Sequence, residues 1–149
     1  MNRESADGRR GSEATGPLGA ASVATRLPAQ DLMRAKRFYA EKLGLDPNEE
    51  RPGGLLYETA MGTFALFESS GSPSGAHTQM AWQVEDIESV VADLRGRGVA
   101  FEEYALPGLE TIDGVAEVEG NYPSKGSAER GAWFYDSEGN LLSIGQAVP

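Results

Sequence analysis

Apolar residues recur along this chain in two rhythms, first every second position and then at helical spacing. "SVATRLPA" (22–29) alternates larger apolar or β-branched residues with smaller or polar ones, the pattern of a short strand. "DLMRAKRFYAEKLGL" (31–45) places Leu32, Ala35, Phe38, Tyr39 and Leu43 on one stripe of a helix. Asp31 precedes the stripe as an N-cap, because its carboxylate can accept from the exposed N–H groups of the first turn. Gly44 follows as the stop. "LLYETA" (55–60) and "TFALFES" (63–69), joined by Met61-Gly62, read as a hairpin. "GSPSGA" (71–76) is a linker.

The scheme then restarts. "HTQMAWQV" (77–84) alternates as a strand, and "DIESVVADLRGRGV" (86–99) is a helix capped by Asp86 with Ile87, Val90, Val91 and Leu94 as its stripe. Strands follow at "AFEEYA" (100–105), "GAWFYD" (131–136) and "NLLSIGQ" (140–146), and residues 106–130 read as a loop with one short strand near "GVAEVEG". Asp31-Leu32 and Asp86-Ile87 are thus equivalent points of an internal repeat. One strand–helix unit cannot cover its own sheet, but two can curl their sheets together with the helices outside. The expected fold is α+β, with paired βαβββ modules over about 21–70 and 77–147 forming curled mixed sheets around a cavity. Small ligands bind on such concave faces. Residues 1–20 hold Gly, Ser, Ala and charge with few large apolar groups, and are expected to be a disordered tail before a domain spanning 21–148.

Composition narrows the chemistry. The chain has 149 residues and no cysteine, which excludes disulfides, thiolate nucleophiles and Cys-bound metals. A net charge of −10 disfavours phosphate backbones and anionic membrane surfaces as partners. No apolar run approaches the roughly 18 residues of a membrane span, and the N-terminus lacks the apolar core of a secretory signal. A cytoplasmic protein is expected, with neither nucleic acid nor membrane as partner.

"RFYAEKLGL" resembles the helix-end signature FYxxxLG of the vicinal oxygen chelate superfamily, which includes glyoxalase I, extradiol dioxygenases and bleomycin-resistance proteins. "YDSEGNLLSI" is similar to its strand–turn–strand signature DPDGNxxEL, and "QVEDIESVVADLRGRGV" to its second-module helix. The resemblance covers about residues 22–147 in order and spacing. It implies paired βαβββ modules, a homodimer and, in many members, a divalent metal held by four inner-face side chains. Those four positions correspond here to Ala24, Leu66, Gln79 and Ser143. Three or four His, carboxylate or thiolate ligands are needed for strong binding of a transition metal, and this set supplies none. No metal and no cofactor are therefore expected.

Strand alternation supplies the remaining candidates. His77, the single histidine, shares a face with Gln79, Ala81 and Gln83, and Leu66 shares one with Glu68. His77 and Glu68 would then sit near one cavity rim. His77 is open to three readings: a member of a shifted metal site, a rim residue bonding a ligand or Glu68, or an exposed structural residue. Arg26 is a candidate partner for a ligand carboxylate or phosphate, and Trp133 for a planar ligand. "GNYPSKGSAERG" (120–131), with Tyr122, Lys125 and Arg130, is either a lid or a plain surface loop. Two functions follow. In the first, a metal-free protein binds a small, planar or carbonyl-bearing molecule through Arg26, Leu66, Gln79, Gln83, Trp133 and Ser143. In the alternative, an enzyme of lyase, isomerase or dioxygenase type uses Glu68 and His77, with or without a shifted metal.

Overall fold

A computed structural model describes residues 16–120 and 126–149. After a short 3-10 turn (Pro17–Ala20), the first module runs β1 (Thr25–Ala29), α1 (Leu32–Leu43), β2 (Glu49–Arg51), β3 (Gly54–Thr59) and β4 (Gly62–Glu68). The second runs β5 (Met80–Gln83), α2 (Ile87–Gly96), a small hairpin of β6 (Ala105–Leu106) and β7 (Leu109–Glu110), then β8 (Ala116–Glu119), β9 (Ala128–Tyr135) and β10 (Leu141–Val148). Two four-stranded mixed sheets result, with orders β1-β4-β3-β2 and β5-β10-β9-β8. In each, the strand before the helix pairs parallel with the module's last strand (β1 with β4, β5 with β10), and the other pairings are antiparallel. The repeat read in the sequence is therefore a repeat of topology. The architecture is α+β with two helices and mixed sheets that do not close.

Both caps form as expected. The Asp31 carboxylate accepts from the Arg34 amide at 3.0 Å, and that of Asp86 from the Ser89 amide at 3.3 Å. Gly44, in the left-handed conformation, ends α1. Three elements differ from the sequence pattern. The strand expected over 100–105 is reduced to one bridge between Phe101 and Phe134, because Ala105 and Leu106 fold back at Pro107-Gly108 to pair with β7. The strand expected from His77 begins only at Met80. The three charged or polar residues of β2 gave no apolar rhythm, yet they form the sheet edge, where such residues deter further pairing.

One face of each sheet makes the core. Leu27, Leu55, Tyr57, Phe64 and Leu66 pack under α1, and Ala132, Phe134, Leu142 and Ile144 under α2. The two sets join into one cluster through Phe64 and Trp82, whose rings meet edge to face at 5.8 Å. Tyr57 and Phe64 stack at 4.9 Å, and Tyr39 tilts against both.

A polar brace crosses between the modules. Asp136, Glu138 and Asn140, in the β9–β10 turn, are all buried. The Asp136 carboxylate accepts from the amides of Glu138 (2.8 Å) and Asn140 (3.0 Å), from the Asn140 side-chain amide (2.8 Å) and from the Tyr39 hydroxyl on α1 (2.8 Å). Burial above all, and then the Asp136 charge, push the Tyr39 hydroxyl well above its usual range, so it stays a donor. The Asn140 side chain also donates to the Pro28 carbonyl of β1 at 3.1 Å. Beside it, Glu138 takes a two-pronged contact from Arg34, with Nε at 2.9 Å and Nη2 at 3.0 Å, and a bond from the Asp31 amide at 3.0 Å. Burial alone would push the Glu138 carboxyl up. The bonds from Arg34, Ser137 and the Asp31 amide, with the Arg34 charge, outweigh it and hold the carboxyl down at about 2.

Two outcomes are expected. Tyr39→Phe removes one bond to a charged acceptor and should cost about 1.5–3 kcal/mol in urea unfolding, and Asp136→Ala, which orphans several buried donors, should cost more. Glu138 is more acidic folded than unfolded, so its contribution is present above about pH 4.5 and is lost as pH falls toward 2. Melting temperature against pH should therefore drop across that window, and Glu138→Gln should flatten the drop.

Candidate functional site

The faces that carry no helix are the candidate site, since there the strands present side chains outside the core. On the first sheet these are Arg26, Leu56, Ala65 and Phe67, by register opposite to the core residues Leu27, Leu55 and Leu66. The Arg26 guanidinium lies 5.7 Å from the Phe67 ring centre, within cation–π range. A cavity of about 270 Å³ opens here, and its lining comes from the first module alone. Across it Arg51 is already paired with Glu49 at 2.9 Å.

On the second sheet the equivalent face is built by Ala81 and Gln83 of β5, Glu129, Gly131, Trp133 and Tyr135 of β9, and Leu141, Ser143 and Gly145 of β10. Ser143 sits between Ala81 and Trp133 in the ladder. Gln79, one residue before β5, continues that ladder by donating its amide to the Leu141 carbonyl at 2.9 Å. Its side-chain oxygen is buried without a hydrogen-bond partner among the described residues. Such an acceptor costs about 1–3 kcal/mol while it stays unpaired. Gln83 donates to Glu129 at 3.1 Å. Gly145 makes this possible: a Cβ there would collide with the Glu129 carboxylate. Trp133 is held edge-on by Tyr104 at 5.6 Å. Burial first, then the neighbouring Tyr135 and Glu102, push the Tyr104 hydroxyl up, so it is neutral and can donate. The Tyr135 hydroxyl donates to the Gly75 carbonyl at 2.7 Å and ties the linker to the rim of this face.

Gln79, Gln83, Trp133 and Ser143 therefore share one face, as alternation predicted, while Arg26 lies on the other sheet. Leu66 is a correction. Its side chain is fully buried under α1 and belongs to the core, because β4 runs one residue out of the expected phase and presents Ala65 and Phe67 instead. Of its three readings His77 takes the exposed one: it lies in a bend before β5, where strand alternation does not apply, and so does not share the face of Gln79. Glu68 is exposed at the end of β4, and neither residue enters an ion pair among the described residues. Tyr57 is in the core, where burial first and then Asp46 and Glu50 push its hydroxyl up to about 12. Of the lid segment, Tyr122 and Lys125 lie outside the described residues, and Arg130 is part of β9. Sequence reading missed Glu129 and Tyr104, although Glu129 would have followed from extending the strand at 131–136 outward with the same period of two.

The donor chemistry of these faces does not fit a divalent transition metal. They offer amides, a hydroxyl, aromatic rings, the Arg26 guanidinium and scattered carboxylates, of which Glu129 is engaged by Gln83 and Glu49 by Arg51. No group of three or more His, Asp or Glu side chains that could hold a metal ion forms among the described residues.

The profile of the Glyoxalase/Bleomycin resistance protein/Dioxygenase superfamily matches residues 21–144. No curated protein matches the chain. Among solved structures, a glyoxalase/bleomycin resistance protein/dioxygenase from Alicyclobacillus acidocaldarius superposes with a TM-score of 0.65 at 15% identity, covering 87% of this chain and 93% of that one. A virulence protein from Salmonella typhimurium gives 0.61 at 19% identity, over 86% and 97%. TnmS3, an antibiotic binding protein from Streptomyces sp. CB03234, gives 0.58 at 24% identity, over 87% and 98%. Likenesses at these identities establish the fold.

Leu66 and His77 should respond in opposite ways to truncation. Leu66→Ala empties a core position and should cost about 2–5 kcal/mol, whereas His77→Ala should stay within about 0.5 kcal/mol of the parent. Urea unfolding of the two variants checks both.

Proposed function

The chain belongs to the glyoxalase/bleomycin resistance protein/dioxygenase superfamily, and within it we propose a member that binds a small molecule on the helix-free face of its second sheet without using a divalent metal. The unpartnered, buried side-chain oxygen of Gln79 carries this reading. A buried acceptor on a ligand-accessible face is best satisfied by a donor from the ligand, since burial of polar groups is tolerated when they are bonded. Ser143 and Gln83 add further polar contacts, and Trp133 offers an indole to a planar or carbonyl-bearing molecule. Arg26, on the first sheet, offers a cation for a ligand carboxylate. The similarity in fold to an antibiotic binding protein is consistent with binding rather than conversion.

Because the two helix-free faces belong to different modules, each is half a site. In our reading a second copy of the chain covers one face with the other, giving a homodimer. The working compartment in this reading is the cytoplasm, where a net charge of −10 favours a dispersed protein. No helix among the described residues is long and apolar enough to cross a membrane.

The first experiment is metal analysis of the tag-free chain, with thermal melts after addition of Zn, Ni, Mn, Fe or Co. A metal that binds the native state raises the melting temperature by mass action. No rise and no stoichiometric metal are expected; one metal per chain would sink the metal-free reading. Isothermal titration against planar metabolites and glycopeptide drugs then tests binding. For a ligand so identified, Gln79→Ala should weaken binding by roughly fivefold to tenfold, the effect of about 1 kcal/mol per hydrogen bond. Unchanged affinity, or turnover of the bound molecule, would remove the proposal.

A further inference from the structure

The opposite side of the second sheet carries a feature that ligand binding does not use. α2 packs on β9 and β10, while Glu117 and Glu119 on the same side of β8 stay exposed. The β6–β7 hairpin stands beyond it as a second wall, and between hairpin and helix runs a groove of about 1190 Å³. That exceeds the 300–1,000 Å³ range of ordinary small-molecule pockets.

Its lining mixes apolar side chains with carboxylates. Val91 and Ala92 come from α2, Leu106 and Leu109 from the hairpin, and Ile112 and Val115 from the turn before β8. Leu106 is 56% exposed and Ile112 78%, so large side chains stand in solvent beside the groove. The acids are Glu88, Glu110, Asp113, Glu117 and Glu119. Glu117 and Glu119 reach the groove together because alternate residues of β8 share a face. The two cations present are already engaged. Arg130 pairs with Glu88 at 2.8 Å. Arg95 donates to the Asp113 carbonyl at 2.9 Å and lies over the Phe101 ring at 5.5 Å. Among the described residues, four of these carboxylates have no cation partner, and they do not converge into any group able to hold a metal ion.

We infer that this groove docks a basic amphipathic segment of a partner protein. The reasoning is complementarity. Carboxylates on β7, the turn after it and β8 need several separated cations on one scaffold, which a lone ion does not supply. Leu106, Leu109, Ile112 and Val115 beside them need side chains of Leu or Ile size among those cations. A helix with apolar residues every three or four positions and lysines flanking them supplies both, in the helix-in-groove mode of recognition. The carboxylates steer such a segment in and set its orientation, while the apolar side chains hold it. This docking face is independent of the ligand face, since Glu117 and Arg130 point away from Trp133 and Ser143 across the same sheet.

The test uses the full chain and a fluorescein-labelled peptide of leucine and lysine only, about four helical turns long, with leucines at helical spacing. Fluorescence anisotropy should show saturable binding that weakens as salt rises. The double variant Glu117→Lys/Glu119→Lys and the single variant Ile112→Asp should each weaken it by tenfold or more. Glu58→Lys, an exposed acid of the first module, should leave it unchanged. Hydrogen exchange on the unmodified chain gives a readout that needs no variant: the peptide should protect residues 88–95 and 105–119. Protection elsewhere would overturn the inference. So would equal binding by a lysine–serine peptide of the same charge, equal loss in Glu58→Lys, or no saturable binding.

Discussion

A buried carboxylate needs every one of its lone pairs occupied, and Asp136 imposes that demand on both halves of the molecule. Its four donors come from the turn that contains it and from α1 of the other module. Meeting it fixes the β9–β10 turn, brings the first helix against the second sheet, and through Asn140 pins β1 to the same point. An apolar contact would tolerate sliding; a set of directional bonds around a buried charge does not, because each lost bond strands a desolvated group. The Arg34–Glu138 contact adds to this register without being its main source, since Arg34 is half exposed and water competes for it. The brace accordingly does what the aromatic cluster of Tyr39, Tyr57, Phe64 and Trp82 cannot do alone. The cluster supplies the favourable burial, and the brace selects one arrangement of it.

This division explains how each sheet can have one conservative face and one free face. The face under the helix is filled by interlocked rings and aliphatic groups, and a change of even one methylene is felt there. The other face contributes little to folding. Its glutamines, serine, alanines and tryptophan answer instead to whatever lies against them. A position can exchange a metal ligand for an alanine or an amide on that face with the fold intact, which is why the same architecture hosts different chemistry and why function has to be argued from the site.

The helices, their aspartate caps, the repeat and the order of the main strands were legible in the sequence because each rests on local rules: period, cap and turn. The misplacements have one cause in common. Where an element is short or at an edge, parity counted from a neighbouring landmark drifts. Leu66 was assigned to the ligand face by such counting, whereas the β1–β4 ladder sets it opposite Leu27 and inside the core. His77 was given strand parity although the ladder carries only as far back as Gln79. The β6–β7 hairpin was invisible because its strands are two residues each and carry no rhythm. The brace was half legible. "DSEGN" announced a turn, but nothing local says that the turn's acids are buried, since burial depends on α1, about a hundred residues earlier in the chain.

In our reading the second sheet serves two surfaces at once, a ligand face and a docking face, and the strands keep them apart. Along β9, Gly131, Trp133 and Tyr135 point to the ligand face while Arg130 turns toward α2 and the groove. A period-two backbone makes these assignments exclusive, so a substitution on one surface reaches the other only by moving the strand itself. Strand movement is resisted at the β9–β10 turn by the bonds around Asp136 and at the far end by the long antiparallel ladder from Tyr135 to Ala128. Ligand and partner can then be recognised independently on the two sides of a sheet only a few ångströms thick, and the stiffness that separates them comes from the same buried carboxylate that joins the modules.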